Sequence, residues 1–539
     1  MRKQIVLAAA GATAAALLSA CSGTTPATGS EDPAVLVEAV PSLPTAFAYD
    51  AGAFDYAGFE FQVNTQAQLV RNPYEEVGDG VRQQDLFTFE GELAESYDVS
   101  DDGLTYTFHL REGVQSVAGN QLTADDVIWS YERKWGGESV APFINYPAIV
   151  DPVRQMKKVD DMTVSITLDR AGDGITLLSL LANVSADIYD STLLKEHVTP
   201  EDPHAIAWSA ENGNYGFGAY EMTSFTPGEK LVLEANPNYW EGEPEVKKIV
   251  QRVVEDPGMR ASLLRNGDVD VAVQLRPTDI AELESTEGVK TFDGVDSVNY
   301  TRLKMNVLEA PFDDLRVRQA LRLAIPYDEI ITDVYRDRAV PMKGFINPNY
   351  PGADDTGLDQ GTYDPAAAKA LLVEAGLDTV PFDLLVSNAV PDLQEVAVQM
   401  ASYAADAGFD ISVVNQSSAA VSEATGTGNF QAYLQRDQAI SQAPPYELML
   451  EFTKDSPLNA TGWTDQSFYD AVDRGIAAGD ALSEAAGREW LAAQLIWQQQ
   501  LPMITVAFVQ PLVAFADEVD GFANRTEGTL DFAHIAKSD

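Results

Sequence analysis

Residues 93–133 of this chain read LAESYDVSDDGLTYTFHLREGVQSVAGNQLTADDVIWSYER. Within them, residues 104–110 alternate apolar and polar side chains, which predicts a β-strand with one buried face. The preceding Asp101-Asp102-Gly103 is typical of a turn. Thr123 is followed three residues later by Asp126, a pattern that caps the start of a helix. The stretch therefore predicts a strand, a turn and a helix in an α/β protein.

Further along, helix and strand patterns alternate regularly. Asp364-Pro365 opens a predicted helix, and a strand follows at 382–387. A second helix, 391–407, precedes a second strand, 409–414. Such alternation implies crossover connections and a partly parallel sheet. The 539 residues exceed what one core supports, roughly 250–300 residues, so we expect two or three domains.

The N-terminus has the pattern of an export signal. Arg2 and Lys3 precede an apolar run, 5–18, that closes on Leu18-Ser19-Ala20-Cys21. The run is shorter than the roughly 20 residues of a membrane-spanning helix, and a small-residue cleavage site follows it. We therefore interpret residues 1–20 as a signal peptide.

Cys21 is the single cysteine of the chain and stands at the predicted cleavage position. Its surroundings resemble the bacterial lipobox, in which the thiol carries a diacylglyceryl group. Residues 21–32 are small and polar, so they cannot bury enough surface to fold and are predicted to form a flexible tether. We expect an extracytoplasmic protein, anchored by lipid to the outer face of the cell membrane, without disulfides.

The formal net charge is -48. Nucleic acid is excluded as a partner, because phosphate binding requires clustered Lys and Arg. The acidic charge is consistent either with steering of cationic ligands or with solubility alone. The acidic residues are scattered along the whole chain, which favours solubility.

Catalytic and metal-binding motifs are missing from the sequence. None of the four histidines has a metalloprotease spacing, and no Gly-x-Ser-x-Gly elbow occurs. His197 and His204 lie near acidic residues, where a solvated loop is favoured over a metal site. We expect neither an enzyme nor a bound cofactor or metal.

Three blocks resemble the extracellular solute-binding proteins of family 5, the dipeptide and oligopeptide receptors of ABC importers. They are the stretch 93–133, the residues 213–272 with YGFGAYEMTSFTPGEKLVLEANPNYWEG, and the residues 303–325 with LKMNVLEAPFDDLRVRQALRLAI. Much of each block also has a purely structural explanation. The blocks therefore indicate the fold better than the ligand site.

The resemblance implies a type II periplasmic-binding-protein-like α/β fold, with two lobes and an extra domain around a hinged ligand cleft. The expected division assigns 33–75, 200–298 and 502–539 to lobe 1, 76–199 to the extra domain, and 299–501 to lobe 2. The implied function is capture of oligopeptides and delivery to ABC permease subunits by a monomeric receptor. The alternatives are a non-peptide solute, such as an oligosaccharide, a metal chelate or another metabolite, and a surface adhesin or chaperone.

Peptide receptors of this family bind the ligand's amino end with an aspartate in a stretch like Asp-Tyr-Pro-Asp-Pro. The corresponding residues here, FQAYLQRDQAISQAPPYELMLEF at 430–452, depart from that pattern. Asp437 is the acid between Phe430 and Pro445 and is predicted to meet a ligand ammonium. Arg436 is predicted either to pair with Asp437 or to bind a ligand carboxylate, with a surface position as the alternative.

Aromatic side chains near this stretch are candidates for the pocket walls, because their faces bury much apolar area. Asn388, at the end of a predicted strand, is a further polar candidate. The aromatic candidates are Trp463, Tyr433, Tyr446 and Phe430.

Overall fold

The structure is a computed structural model that describes residues 32–53, 55–78, 81–137, 139–146, 148–291, 298–438, 440–453, 456, 458–525 and 528–538. The predicted signal peptide, Cys21 and the predicted tether as far as residue 31 lie outside the described residues. Within the described ranges, no helix combines the length and apolar character needed to cross a membrane.

Strands and helices alternate along most of the described chain. The strands are β1 (Val35–Val40), β2 (Val70–Arg71), β3 (Tyr74–Gly78), β4 (Val81–Gln84), β5 (Glu90–Gly91), β6 (Ala94–Val99), β7 (Thr105–Leu110), β8 (Met156–Asp160), β9 (Thr163–Thr167), β10 (Tyr220–Thr226), β11 (Lys230–Ala235), β12 (Lys248–Val253), β13 (Val271–Ala272), β14 (Val289–Thr291), β15 (Asn299–Met305), β16 (Ala339–Pro341), β17 (Val380–Ser387), β18 (Phe409–Gln416), β19 (Ala432–Gln438), β20 (Met503–Val509), β21 (Ala514–Ala516), β22 (Val519–Asp520), β23 (Phe522–Asn524) and β24 (Ala536–Lys537). The α-helices are α1 (Tyr56–Thr65), α2 (Ala124–Gly136), α3 (Ala141–Ile144), α4 (Pro152–Gln155), α5 (Gly174–Leu181), α6 (Ser191–Lys195), α7 (Ile206–Glu211), α8 (Pro257–Arg265), α9 (Pro277–Leu283), α10 (Leu315–Leu323), α11 (Tyr327–Glu329), α12 (Pro365–Glu374), α13 (Pro391–Ala404), α14 (Ser418–Gly426), α15 (Pro444–Phe452), α16 (Gln466–Ala477) and α17 (Glu484–Gln500). Short 3-10 or π turns add Tyr49–Ala51, Ala171–Asp173, Val184–Ala186, Ile330–Val334, Ala405–Ala407 and Phe532–His534.

The first sheet joins strands from distant parts of the sequence, in the order β10-β11-β12-β1-β13-β21-β14. Its centre is parallel, because β1 pairs with β12 on one side and with β13 on the other. Strand β1 is buried at nearly every position, as expected for a parallel strand covered on both faces. The core beside this sheet contains Leu36, Val271 and Phe515, which brings the C-terminal segment back to the N-terminal one.

The second sheet has the order β16-β20-β15-β19-β17-β18. Strand β17 is parallel to β18 and β19, whereas β15 is antiparallel to β19 and β20. The predicted alternation in this region is confirmed, because α12, β17, α13 and β18 follow one another as expected.

A third sheet, β6-β7-β9-β8, contains the stretch that opened the sequence analysis. The predicted strand at 104–110 is β7, with Tyr106, Phe108 and Leu110 buried on one face. Helix α2 begins after Thr123, whose backbone N–H donates to the Asp126 carboxylate at 2.8 Å. This local prediction is therefore confirmed.

The chain passes from the first sheet to the second between β14 and β15 and returns between β20 and β21. The division implied by the family resemblance places the return at 502, but β20 pairs with β15 and β16 inside the second sheet. Strand β20 is buried at every position, so it needs the covered interior of that sheet. The return segment is therefore 510–513.

Helix α15 connects parts of the molecule that are distant in sequence. Tyr446 and Leu450 lie in the core that also contains Phe108 of the third sheet. Leu448 and Phe452 lie instead in a core with residues of α16 and α17. One short helix thus packs on both sides of the boundary between the N-terminal part and the second sheet.

Candidate ligand cleft between the two large sheets

A cavity of about 290 Å3 lies between the first and second sheets. Tyr56 and Phe59 of α1 line it from the N-terminal side, together with residues 273–275. Residues 389–392 and 436–438 line it from the side of the second sheet. The return segment 510–513 lies at the same cavity, so its walls come from both sheets and from the connection between them.

These wall segments share a position in the fold. Residues 273–275 directly follow β13, 389–392 follow β17, and 436–438 form the end of β19. All three strands belong to parallel pairs. Ligands of α/β proteins bind outside the carboxyl ends of parallel strands, so this is where the topology favours a ligand site.

A wider space of about 1380 Å3 shares Tyr56, Gln274, residues 389–391 and Arg436 with this cavity. Asn388 lies in its lining and is exposed. The predicted polar candidate Asn388 therefore lies at the wider space and not at the smaller cavity.

Arg436 and Asp437 both line the smaller cavity, but from opposite faces of the second sheet. Asp437 pairs with Tyr300 of β15, and Arg436 pairs with Thr301. Successive side chains of a strand point to opposite faces. The cavity thus extends around the end of β19, and both Arg436 and Asp437 line it.

The Arg436 guanidinium is held by three groups. Nη2 donates to the Asp392 carboxylate and, at 3.1 Å, to the Tyr335 hydroxyl, while Nε donates to Thr301 Oγ1 at 3.1 Å. The Asp392 side chain is buried, and that of Arg436 retains 14% exposure. The alternative in which Arg436 pairs with Asp437 is wrong, because adjacent strand residues diverge and Asp392 of α13 is the partner.

The Asp437 carboxylate is hydrogen-bonded to neutral groups. It accepts from Gln435 Nε2 at 2.6 Å and from the Gln438 backbone N–H at 2.9 Å. No Lys, Arg or His of the described chain lies within ion-pair distance of it. Burial raises the pKa of the Asp437 carboxyl. This carboxylate is therefore available at the cavity for a cationic ligand group.

Asp437 belongs to a group of charges that we call the α15 network. Its other members, Arg302, Lys304, Glu447 and Glu451, are buried, whereas Asp437 is half-buried at the cavity. The alternation of β15 and β19 puts Arg302, Lys304 and Asp437 on one face of the sheet, and α15 covers that face. Lys304 Nζ lies 2.6 Å from Glu451 Oε2. Arg302 is more loosely placed, with Nη2 3.5 Å from Glu447 Oε2 and Nη1 3.7 Å from Glu451 Oε1.

A second buried acidic pair lies on the opposite side of the cavity. The hydroxyl of Tyr56 donates to Glu60 Oε2 at 2.7 Å, and the backbone N–H of Leu530 donates to the same oxygen at 3.1 Å. Gln251 Nε2 donates to both Glu60 and Glu38. Burial raises the pKa of Glu60 to about 7 and that of Glu38 well above its usual value. The raised pKa values favour a proton on this pair, and the hydrogen bond from the Tyr56 hydroxyl to Glu60 holds Tyr56 at the cavity wall.

Trp463, Phe430 and Tyr433 were expected to line the pocket, but the structure places them in cores. Trp463 is buried and lies edge-on to Phe452 and Phe468, with ring centroids 5.3 and 5.2 Å away. Phe430 and Tyr433 pack against each other at 5.2 Å, in a small cluster with Leu385. None of the three lines either space described above, so their predicted wall role is corrected to packing.

Tyr446 is also displaced from the predicted pocket wall. Its ring is buried in the core of the N-terminal part, and its hydroxyl donates to the carbonyl of Ile144 at 2.9 Å. The aromatic side chain thus joins two parts of the molecule and does not face the cavity.

Sequence reasoning missed Tyr56, Phe59 and Asp392, which lie at the cavity or hold a residue there. A signal for Asp392 was present, because it follows a strand and starts a helix in a parallel unit, where ligand sites form. No local signal marks Tyr56 and Phe59, since α1 reaches the cavity only through packing of the first sheet.

Comparisons with known proteins bear on the family. Residues 88–459 match the model of the bacterial extracellular solute-binding proteins, family 5 Middle. The chain is 32% identical over 301 residues to the dipeptide-binding protein of Escherichia coli (strain K12), covering 53% of this chain and 55% of that relative. It is 26% identical over 465 residues to di/tripeptide-binding protein 2 of Pseudomonas aeruginosa (strain UCBPP-PA14), covering 82% and 85%.

Among solved structures, the Helicobacter pylori periplasmic binding protein DppA in complex with the peptide STSA superposes with a TM-score of 0.80, at 22% identity, covering 95% of this chain and 99% of that one. The predicted type II periplasmic-binding-protein fold is confirmed. Members of the matched family are substrate-binding receptors and not enzymes. The family model covers well over half of the sequence, and the chain belongs to the bacterial extracellular solute-binding proteins, family 5.

Proposed function

We propose that this protein captures short peptides with a free amino group between its two large sheets and delivers them to an ABC permease for import. The ligand ammonium binds at Asp437, and the ligand carboxylate binds at Arg436. The observation that carries the proposal is the placement of these two opposite charges at one cavity between two sheets. The names of the relatives, a dipeptide-binding and a di/tripeptide-binding protein, support it.

The size of the cavity favours short peptides over long ones. Its volume of about 290 Å3 lies at the lower end of ordinary ligand pockets, about 300–1,000 Å3. Longer oligopeptides would have to extend into the wider space, whose lining includes Asp55, Asp256 and Glu395. We therefore propose peptides of a few residues.

Two lobes with a hinge between them suit this role. We propose that the first sheet with its helices is lobe 1, that the third sheet belongs to the extra domain, and that the second sheet is the core of lobe 2. The connections between the two large sheets would serve as the hinge, and ligand binding would shift the population towards the closed form. The permease would recognise that closed, monomeric form.

The proposed location is the outer face of the cell membrane. The lipobox-like Leu18-Ser19-Ala20-Cys21 supports a lipid anchor on Cys21, and the small, polar residues after it support a tether. Anchoring keeps the receptor near the permease, so captured peptide need not diffuse away.

Native mass spectrometry of protein purified without denaturation tests the ligand class. Co-purified masses that correspond to mixed short peptides are the expected result. A single non-peptide mass would contradict the proposal, as would binding of free peptides no better than of matched sugars or polyamines in thermal-shift titrations.

A further inference from the structure

The α15 network contains more negative than positive groups. In the part of the chain that the structure describes, the carboxyl groups of Asp437, Glu447 and Glu451 face two cations, Arg302 and Lys304. The tyrosines around it, Tyr300, Tyr433 and Tyr446, stay neutral because burial raises their pKa values. Fully ionised, the network would hold one surplus negative charge, and four of its five groups are buried. A buried unpaired charge is costly, so a proton or a ligand cation must neutralise it.

Glu447 is the member with the weakest partners. Glu451 is paired with Lys304 at 2.6 Å, and Asp437 accepts two hydrogen bonds. Glu447 Oε2, in contrast, lies 3.5 Å from Arg302 and has no hydrogen-bond partner among the described groups. Burial raises the pKa of Glu447 to about 7, with further contributions from Glu451 and Asp437. Its weak partners and its raised pKa make Glu447 the member of the network best suited to hold a proton.

We propose that Glu447 holds this proton in the unliganded protein and releases it to solvent when a ligand ammonium binds at Asp437. Glu447 does not line the smaller cavity, so it acts as a specificity-determining residue without touching the ligand. The inference rests on the proposed function, because it requires a cationic ligand group. Beyond the proposed function, the inference says that the preference for a ligand ammonium comes from the charge of the whole α15 network and not from Asp437 alone.

The proposal predicts how the affinity for peptide depends on pH. Since binding releases a proton, affinity rises with pH until Glu447 is ionised without ligand, near pH 7. Above about pH 8 affinity falls again, because the peptide α-amino group loses its own proton there. In Glu447→Gln the network is balanced without ligand. Its affinity should match the wild type at about pH 5.5 and be roughly ten-fold weaker at about pH 7.5, where an added ammonium has no counter-charge.

The test uses the dipeptide Met-Leu as the probe and the full chain. Calorimetric titration at about pH 6 in two buffers of different ionisation enthalpy counts the protons released. The wild type should release about half a proton per bound peptide, and Glu447→Gln almost none. Glu92→Gln is the matched control, because Glu92 is a buried glutamate that lines neither space and whose pKa is also about 7. This control variant should release as many protons as the wild type when it binds Met-Leu.

A second measurement needs no ligand and covers a variant that folds poorly. In protein labelled with carboxyl-13C glutamate, several resonances should titrate near neutral pH, those of Glu60 and Glu92 among them, and one of these resonances should be absent from Glu447→Gln. If no such resonance exists, or if Glu447→Gln releases as many protons as the wild type, the inference is overturned. Failure of Met-Leu and other short peptides to bind would instead count against the proposed ligand, while the carboxyl titration still decides the role of Glu447.

Discussion

Arg436 and Asp437 are adjacent in the chain, but their side chains lie on opposite faces of the second sheet and meet the same cavity at its edge. The face of Arg436 supplies Asp392, Tyr335 and Thr301, which hold the guanidinium. The face of Asp437 supplies neutral hydrogen-bond donors in direct contact and the α15 network behind them. Arg436 and Asp437 are thus held by different hydrogen-bond partners, so each side chain can be tested by its own substitution.

Replacement of Asp437 by Asn should weaken binding of free-amine peptides by about ten-fold or more, because a charge-assisted hydrogen bond in a desolvated site is lost. Calorimetric titration with Met-Leu measures it. Asp410→Asn, at an exposed position of β18 in the same sheet, is the matched control and should bind like the wild type. An unchanged affinity in Asp437→Asn would remove this residue from the ligand site.

Replacement of Arg436 by Lys should destabilise the fold by about 1–3 kcal/mol, because an ammonium cannot keep the planar set of bonds to Asp392, Tyr335 and Thr301. It should also weaken binding of peptides with a free carboxylate more than of peptide amides. Urea unfolding and titration with Met-Leu and its amide check both effects. Equal weakening for the two peptides would show that Arg436 has only a structural role.

Replacement of Trp463 by Ala should cost about 3–5 kcal/mol of folding stability, because the side chain is buried between Phe452 and Phe468. Below its lowered melting temperature the variant should bind Met-Leu as the wild type does. A stable variant with lost binding would mean that Trp463 contacts the ligand after all.

Replacement of Tyr446 by Phe removes the hydrogen bond from its hydroxyl to the Ile144 carbonyl. We expect a loss of about 0.5–1.5 kcal/mol of closed-form stability and up to about ten-fold in peptide affinity. Small-angle scattering should show a more open average shape at subsaturating peptide. No change in shape or affinity would indicate that this contact is independent of closure.

The buried pair of Glu38 and Glu60 predicts a stability that depends on pH. The pKa of Glu60 is about 7 in the folded protein, against about 4.5 normally, so the folded state binds a proton more tightly than the unfolded one. Its contribution is therefore greatest at low pH and is lost as pH rises from about 4.5 to about 7. Urea unfolding across this range should show a shallower decline in Glu60→Gln than in the wild type. Identical slopes would contradict a proton held by this pair.

Much of the fold could be predicted because its signals are local. The alternation at 104–110 and the cap formed by Thr123 and Asp126 describe β7 and the start of α2 on their own. The return segment was misplaced because β20 differs from a lobe 1 strand only in its pairing partners, β15 and β16. The residues of β20 do not show which distant strands it pairs with, so its sheet could not be predicted from its own sequence.

The candidate site could be predicted only in part, for a similar reason. Arg436 and Asp437 could be predicted because the family resemblance points to the stretch 430–452, in which Asp437 is the acid between Phe430 and Pro445. Trp463 and Tyr446 do not reveal whether they line a pocket or a core, since an aromatic ring suits both. Tyr56 and Phe59 reach the cavity from the other sheet, and only the assembled fold places them there.

The most direct test of the account compares Met-Leu with N-acetyl-Met-Leu by calorimetric titration of the wild type at about pH 7. The two probes have the same side chains and carboxylate and differ at the amino group that Asp437 is proposed to bind. The account predicts binding of Met-Leu at least about ten-fold tighter than of the acetylated peptide. Equal affinities, or no binding of either peptide, would contradict it.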